Sequence, residues 1–591
     1  MADLVRVKIN GKEYSVERNT TILDACRQVG IKIPTLCYLR EINEIGACRV
    51  CVVEVVGARN LVASCVYPID RDGMEIKTNT KRVLESRKTT VELLLSNHNN
   101  SCNSCVRSNN CELQKLSHEL GCDENRYKGV KQSFEEDVTP YLVRDNSKCI
   151  LCRRCVAACS KLQHVHVIGP NDRGFNTNIG SEFDLSLNDV KCVACGQCIT
   201  VCPTGALRER DNIDDVMAVM NDKSKHVFAM TAPAVRAAIG EEFGYPIGTN
   251  TEGKMVAALK MLGFEKVMDV DFAADVTIME EGTELLNRIK NNGVLPMITS
   301  CSPGWINYIE QYYPELLPHL STTKSPQQIH GALIKSYYAK KHNLDPKDIV
   351  VVSIMPCVAK KVEINRPHIN AVEEGKDVDF VLTTREAARF IRRAGIDFRA
   401  LPDEQFDTFS GTSAGLLFGA TGGVMEAALR TVKEILDGKE LDNLDFKSVR
   451  GVKGVKKATV ELGGKPVKVV VAHGVENAHT VMEQLKAGKL NDVAFIEIMC
   501  CPGGCVTGGG QPIQPAEVRN NIDLKAERAK ALYNADKKSA AQKEPRQSRG
   551  QGALRGLFGR TQRSSCPRAA AHTLRGQKQK AHRLNDLNRS E

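Results

Sequence analysis

At 591 residues the chain exceeds what one hydrophobic core supports and reads as several domains. Its formal charge of +10 would suit nucleic acid or an anionic membrane, but residues 537–591 hold 14 Lys/Arg against 3 Asp/Glu, which leaves the remainder near −1 and argues against both partners. Twenty-three cysteines, no signal-like apolar stretch at the amino terminus and no run of about eighteen apolar residues predict a cytoplasmic protein whose clustered thiols hold metal rather than disulfides.

Residues 1–80 open with alternating strands, LVRVKI and EYSVE, then an amphipathic TILDACRQVG and CRVCVVEVV, a small α+β module. Cys37, Cys48, Cys51 and Cys65 run as Cx10CxxCx13C, close to the plant-type 2Fe-2S spacing with a longer first loop. Zinc is the rival for any four-cysteine set; the long loop and strand-rich context favour the cluster, and Cys26 on the apolar face reads as core. In residues 81–125, His98, Cys102, Cys105 and Cys111 follow one another as Hx3CxxCx5C within a Ser/Asn-rich loop. In isolation that set suits zinc or a 4Fe-4S cluster alike, and its neighbours tip it toward the cluster.

Those neighbours fill residues 138–210: CILCRRCVAACS and CVACGQCITVCP, two copies of CxxCxxCxxxC. In two-cluster ferredoxins the fourth cysteine of each run ligates the other cluster. The spacing therefore assigns Cys149, Cys152, Cys155 and Cys202 to one 4Fe-4S cluster, and Cys159, Cys192, Cys195 and Cys198 to the second. The first 210 residues read as an electron wire of four clusters. Residues 215–536 have the alternating strand and helix pattern of an α/β domain, with four unusual segments at strand ends: MTAPAVR, TSCSPGW, MPCVAKKVE and EIMCCPGGCVTGGGQP.

On those segments the chain resembles the iron-only, or FeFe, hydrogenases over nearly all of residues 1–536. The family signatures run approximately TSCCPxW, MPCxxKxxE and ExMxCxxGCxxGGGxP. The second and third are complete here, through Met355, Cys357, Lys360 and Glu363 and through Glu497, Met499, Cys501 and Cys505, whereas the first is broken by Ser302. The fold class implied is a multidomain α+β protein in which ferredoxin-like iron-sulfur modules precede an α/β hydrogenase catalytic domain. The resemblance further implies an H-cluster, a 4Fe-4S cube joined through one cysteine to a diiron unit with carbonyl, cyanide and dithiolate ligands. By position Cys505 is the bridging thiolate and Cys357 and Cys501 are cube ligands. Lys360 is implied as donor to one cyanide and a backbone N–H of Ala232–Pro233 as donor to the other, with Met355 and Met499 as a soft wall and glycines 508–510 packing close around the cofactor. The family's proton relay maps onto Glu281, Glu284 and Ser321, and the two glutamates, three residues apart, share a helical face.

The broken signature is the point of tension. In the family the first cysteine of the pair is the relay nearest the diiron unit and the second a cube ligand. Iron readily deprotonates a thiol, whereas a serine hydroxyl is far less acidic and harder. The expectation is therefore that Cys301 becomes the fourth cube ligand through a one-residue loop adjustment, that Ser302 passes protons by its hydroxyl, and that Cys500, outside the ExMxC spacing, is a core thiol; the alternative is that Ser302 or water ligates the cube while Cys301 keeps the relay role.

Function follows as reversible oxidation of hydrogen, with electrons leaving through the amino-terminal clusters. No GxGxxG follows a predicted strand, so NAD(P) and flavin belong to a partner subunit, with small 2Fe-2S subunits and ferredoxin as further candidates and electron bifurcation as an option. The competing classes are a non-catalytic electron-transfer subunit of an NADH-dehydrogenase-like complex and a hydrogenase-like assembly or sensor protein. The signatures after residue 300 argue against the first; Lys360, Glu281 and Glu284 argue against the second. The basic tail, 537–591, rich in Arg, Gln, Ser, Ala and Gly, is expected to be disordered and its Cys566 to carry no cluster, an arm for an acidic partner being the weaker alternative.

Overall fold

The computed structural model describes residues 3–541, apart from 123–125, 129, 368, 372–374, 410, 438–446, 452 and 463. Strands β1 (Leu4–Ile9) and β2 (Lys12–Glu17) turn at Asn10 and Gly11, both at positive φ, as a tight antiparallel hairpin demands. Helix α1 (Ile22–Gln28) starts at Thr21, whose hydroxyl accepts from the Asp24 N–H at 3.1 Å. Strands β3 (Val52–Val55), β4 (Val62–Ala63) and β5 (Met74–Lys77) complete a five-stranded mixed sheet in the order β2-β1-β5-β3-β4, with β1 and β5 parallel. Helix α2 (Lys81–Asn97) leads to the loop of Cys102, Cys105 and Cys111, and α3 (Glu112–Glu119) follows it. Each quartet then starts a short helix, α4 (Arg154–Ala157) and α5 (Gln197–Val201), beneath an antiparallel pairing of Leu142–Arg144 with Leu207–Glu209.

The larger region supplies, in chain order, β6 (His226–Thr231), α6 (Pro233–Arg236), β7 (Lys266–Asp269), α7 (Asp271–Lys290), β8 (Met297–Ile298), α8 (Pro303–Tyr312), β9 (Ile349–Met355), α9 (Lys360–Glu363), β10 (Phe380–Thr383), α10 (Gly423–Asp437), β11 (Val455–Leu462), β12 (Lys465–His473), β13 (Val493–Met499) and α11 (Leu524–Ala541). One sheet has the order β7-β6-β9-β10 and is parallel throughout; the other has the order β8-β13-β12-β11, with only β11 antiparallel to its neighbour. Every residue of β9 is buried, and β6 and β13 nearly so, because parallel strands are covered on both faces. This is the α+β arrangement that the sequence predicts, with an α/β second half.

Four of these strands, β6 and β9 from one sheet and β8 and β13 from the other, run straight into the four unusual segments, so all four approach one place from their carboxyl ends. Helix α11 remains helical into residues 537–541, past the tail boundary read from the sequence, and Asp536 within it pairs with buried Arg430 of α10 at 3.1 Å. The rest of the expected tail, including Cys566, lies outside the described residues. Among the described residues no helix is long and apolar enough to cross a membrane.

Glycines join the halves. A side chain at Gly508 would collide with the Pro356 carbonyl and one at Gly509 with the Cys195 carbonyl, so two backbones touch where the second quartet meets the loop after β13. The close approach expected at glycines 508–510 is thus made against protein backbone. Gly509→Ala should therefore lower the thermal unfolding midpoint, losing at least ~1–3 kcal/mol as overpacking usually does. Gly169→Ala, where an added Cβ meets nothing within 4 Å, should leave it unchanged. Equal midpoints in calorimetry would refute the backbone contact.

Candidate active site and its cluster-binding approach

Where the four strands end, their loops enclose a cavity of about 90 Å³ lined by Ala232, Pro233 and Ala234 after β6, Cys301 and Ser302 after β8, Met355, Cys357 and Lys360 after β9, and Met499, Cys500, Cys501 and Cys505 after β13. Phe418, Val270 and Ala274 complete a largely apolar wall, which the sequence did not single out. Cys195, from the second quartet, reaches the same cavity. Burial first, and neighbouring thiols next, push Cys505 up to about 12 and Cys357 well above the usual thiol range. Soft thiols in an apolar wall beside one ammonium form a donor set suited to an iron-sulfur group bearing small anionic ligands.

Lys360 holds its ammonium at the rim, donating to Glu363 at 2.8 Å and to the Cys301 carbonyl at 3.3 Å. Glu363 is in turn fixed by the Ser325 hydroxyl (2.9 Å) and the Gln327 amide (3.0 Å), partners with no signature in the sequence. The Ala232 N–H is given to the Ile354 carbonyl at 3.1 Å. Pro233 carries no N–H, and Ala234 follows it in the first turn of α6, where N–H groups have no partner within the helix. Glu497 of the third signature stands away from the chemistry: its oxygens accept from the N–H groups of Gly422 and Met425, both at 2.7 Å, and anchor the start of α10.

Polar groups flank the cavity on the side of Cys301. Burial raises the Cys301 thiol's pKa well above the usual range, the Glu281 charge adds to that rise and Lys360 tempers it. Glu281 is fully buried on α7, and neither carboxylate oxygen has a hydrogen-bond partner among the described residues. Burial pushes its pKa up to about 8, and the nearby Ser300 N–H and Ser321 hydroxyl, short of bonding geometry, only temper that rise. Ser321 donates to Glu284 at 2.9 Å. Glu284 also accepts from the Thr322 N–H (2.9 Å) and from Arg288 (2.6 Å), and with them it lines an open groove. The sequence pointed to Glu281, Glu284 and Ser321; Arg288 and Thr322 went unnoticed because ordinary surface residues look the same.

The amino-terminal cysteines fall into groups. The thiols of Cys51 and Cys65 are 3.3 Å apart, and Cys37 pairs with Cys48, the two-and-two division that two irons require. The thiols nearest Cys155 are Cys152, Cys149 and Cys202; those nearest Cys198 are Cys195, Cys192 and Cys159. His98 is buried with an unpartnered Nδ1, and burial, with Lys148 and Lys131, lowers its pKa to about 4, leaving a neutral imidazole beside the loop of Cys102, Cys105 and Cys111. Among the described residues no three His, Cys, Asp or Glu side chains close around one metal-ion position. Three contacts connect the groups: the Asn43 amide donates to the Cys37 (2.8 Å) and Cys152 (3.0 Å) carbonyls, buried Arg154 bridges Glu112 (2.8 Å) and the Tyr38 carbonyl (3.2 Å), and Arg107 donates to the Cys202 carbonyl at 3.1 Å.

Residues 225–509 match the iron only hydrogenase large subunit, C-terminal domain; residues 2–81 a 2Fe-2S iron-sulfur cluster binding domain; residues 87–126 the NADH-ubiquinone oxidoreductase-G iron-sulfur binding region; and residues 148–206 a 4Fe-4S dicluster domain. The chain is 46% identical to NADP-reducing hydrogenase subunit HndD of Solidesulfovibrio fructosivorans, over 90% of this chain and 92% of that one. It is 42% identical to iron hydrogenase 1 of Clostridium pasteurianum, over 89% and 92%. A solved variant of FeFe-hydrogenase HydA1 from Chlamydomonas reinhardtii superposes with a TM-score of 0.53 at 35% identity, covering 62% of this chain and 98% of that one.

Glu281 gives the site a pH signature. Its folded pKa of about 8 lies above the ordinary carboxylate value, so its stabilising contribution is whole below the unfolded pKa and is lost as pH rises through about 8. Glu281→Gln should remove that loss. Between pH 5 and pH 9 the unfolding midpoint of the variant should fall less than that of the wild type, by the equivalent of a few kcal/mol. Parallel pH profiles would show that Glu281 titrates normally.

Proposed function

The chain belongs to the iron-only hydrogenase family, and on that premise we propose that it is the hydrogen-converting subunit of a hetero-oligomeric complex whose partner subunits carry flavin and NAD(P). It is an FeFe hydrogenase with 2Fe-2S and 4Fe-4S domains. In this reading Cys505, Cys357 and Cys501 hold the H-cluster, one 2Fe-2S cluster sits on Cys37, Cys48, Cys51 and Cys65, and three 4Fe-4S clusters sit on the His98 set and the two crossed quartets. The bound H-cluster supplies an open iron position at which hydrogen is cleaved heterolytically.

The protein's part is to hold the group dry and to move the proton. Lys360 offers an ammonium at one side of the cavity and the Ala234 N–H an uncharged donor at another, while Met355, Met499 and Phe418 keep water out. A proton released at the cavity passes to the Cys301 thiol, then to Glu281, then through the Ser321 hydroxyl to Glu284 and the groove. The observation that supports the reading is the thiol-lined cavity at the ends of four strands, with the Ser321–Glu284 hydrogen bond at an open groove. Cys195, which also lines the cavity, belongs to the second quartet, and clusters held by the amino-terminal cysteines would supply the electron route to partners. The absence of a dinucleotide fingerprint in the sequence favours partner subunits for NAD(P) and flavin, with ferredoxin as a second carrier.

The purified chain should show carbonyl and cyanide infrared bands that shift under hydrogen and should reduce viologen dyes with hydrogen, but it should not reduce NAD(P). Reduction of NAD(P) by the chain alone would overturn the assignment of that step to a partner. Glu281→Gln and Ser321→Ala should each slow viologen reduction by about 10²-fold or more at unchanged iron content. Unchanged rates would remove these residues from the relay.

A further inference from the structure

Among the signature positions Ser302 is the one where a thiol is replaced by a hydroxyl, and the same cavity is lined by Cys500, a cysteine with no assigned work. We propose that Cys500 supplies the fourth thiolate to the iron-sulfur cube, replacing the ligand lost at Ser302, and that Cys301 remains a proton carrier. The inference rests on the reading that the cavity holds a cube.

Three features of the site carry it. First, the two loops are bonded at the relevant residues: the Cys500 N–H donates to the Ser302 hydroxyl at 3.3 Å, so the Cys500 side chain leaves the backbone beside position 302. Second, the two candidate thiols face different neighbours. Cys500 lines the cavity together with Cys501 and with Cys195 of the second quartet. Cys301 instead faces Glu281 and Lys360, with Cys505 next, on the relay side. Third, the space for the Cys500 thiol depends on a glycine two residues beyond Ser302, since a Cβ on Gly304 would sit 2.6 Å from Cys500 Sγ. Among the described residues the Cys500 thiol donates one long hydrogen bond, to the Gln163 side-chain Oε1 at 3.8 Å, a weak restraint.

The loop adjustment that would make Cys301 the ligand has strong opposition. Its carbonyl accepts from Lys360 at 3.3 Å, Thr299 N–H bonds the Ile496 carbonyl at 3.0 Å, Ser300 Oγ bonds the Thr323 carbonyl at 2.6 Å, and Trp305 Nε1 bonds the Thr299 carbonyl at 3.2 Å. Shifting the segment by a residue breaks this set, whereas Cys500 needs only a side-chain rotation. On ligation the S–H proton is released and a sulfur–iron bond forms, with no change in oxidation state.

The test uses the full chain and reads iron and acid-labile sulfide per chain together with low-temperature EPR. Cys500→Ala should lose about four irons and four sulfides and the cube's signal, with the ferredoxin signals unchanged. Cys301→Ala should keep the cube. Adding Ser302→Cys to Cys500→Ala should restore it. A full iron complement in Cys500→Ala, loss of the cube in Cys301→Ala, or failure of the double variant to recover it would each overturn the proposal. Should Cys500→Ala not fold, a double variant that folds with full iron supports the assignment, and one that fails as well counts against it. A wild-type chain without the cube's signal would instead defeat the underlying reading of the cavity.

Discussion

The structure depends on a dry, thiol-lined cavity into which four parallel strands run end-on. Desolvating so many ionisable groups is tolerated only where each charge finds a partner and each thiol can stay neutral until metal binds. Lys360 is matched by Glu363, and Glu363 by two further donors. Glu497, buried away from the cavity, spends both oxygens on the amides that open α10. Parallel strands suit this task because their buried carboxyl ends deliver loops from both sheets to one point while their backbones stay fully bonded within the sheets.

The electron-carrying modules are attached by the same logic. Arg154 is almost wholly buried, yet its guanidinium is shared between the Glu112 carboxylate and backbone carbonyls of the first module, so one side chain fixes three segments that lie far apart in sequence. Asn43 and Arg107 repeat the device on smaller scale, each donating to the carbonyl of a cysteine. Side chains that fasten cysteine carbonyls leave the thiols undisturbed and set the spacing between clusters. At the last junction even this is dispensed with, and backbone meets backbone at Gly509.

What the sequence disclosed was whatever chemistry restricts to few residue types. The CxxCxxCxxxC quartets, the five-residue stretch MPCVA and the strand-forming runs were legible because thiols at fixed offsets and β-branched blocks have few other uses. What it hid was set by contacts across the chain. Phe418 and Gln327 look like any core or helix residue until the cavity is assembled, and nothing local says that Glu497 caps a helix that starts more than seventy residues earlier. The Ala232 N–H looked available until its sheet partner at Ile354 was known. Helix α11 ran past its predicted boundary because Asp536 pairs with Arg430, a partner on another helix.

Separation of proton and electron routes follows from where Cys301 and Cys500 point. Oxidation of one hydrogen molecule yields two protons and two electrons at one place, and if both left by one channel the carboxylates of the proposed relay would stand against reduced, more negative clusters. Each carboxylate would then hold its proton more tightly as electrons accumulated. Here Glu281 and Glu284 both stand on α7, with Glu284 and Arg288 lining the groove, while Cys500, Cys501 and Cys195 line the cavity. Glu281, buried and without a hydrogen-bond partner among the described residues, raises the Cys301 thiol's pKa by its charge. An arrangement with Cys301 ligating the cube would take that thiol out of proton transfer. Ligation by Cys500 keeps both routes continuous with the residues this chain has.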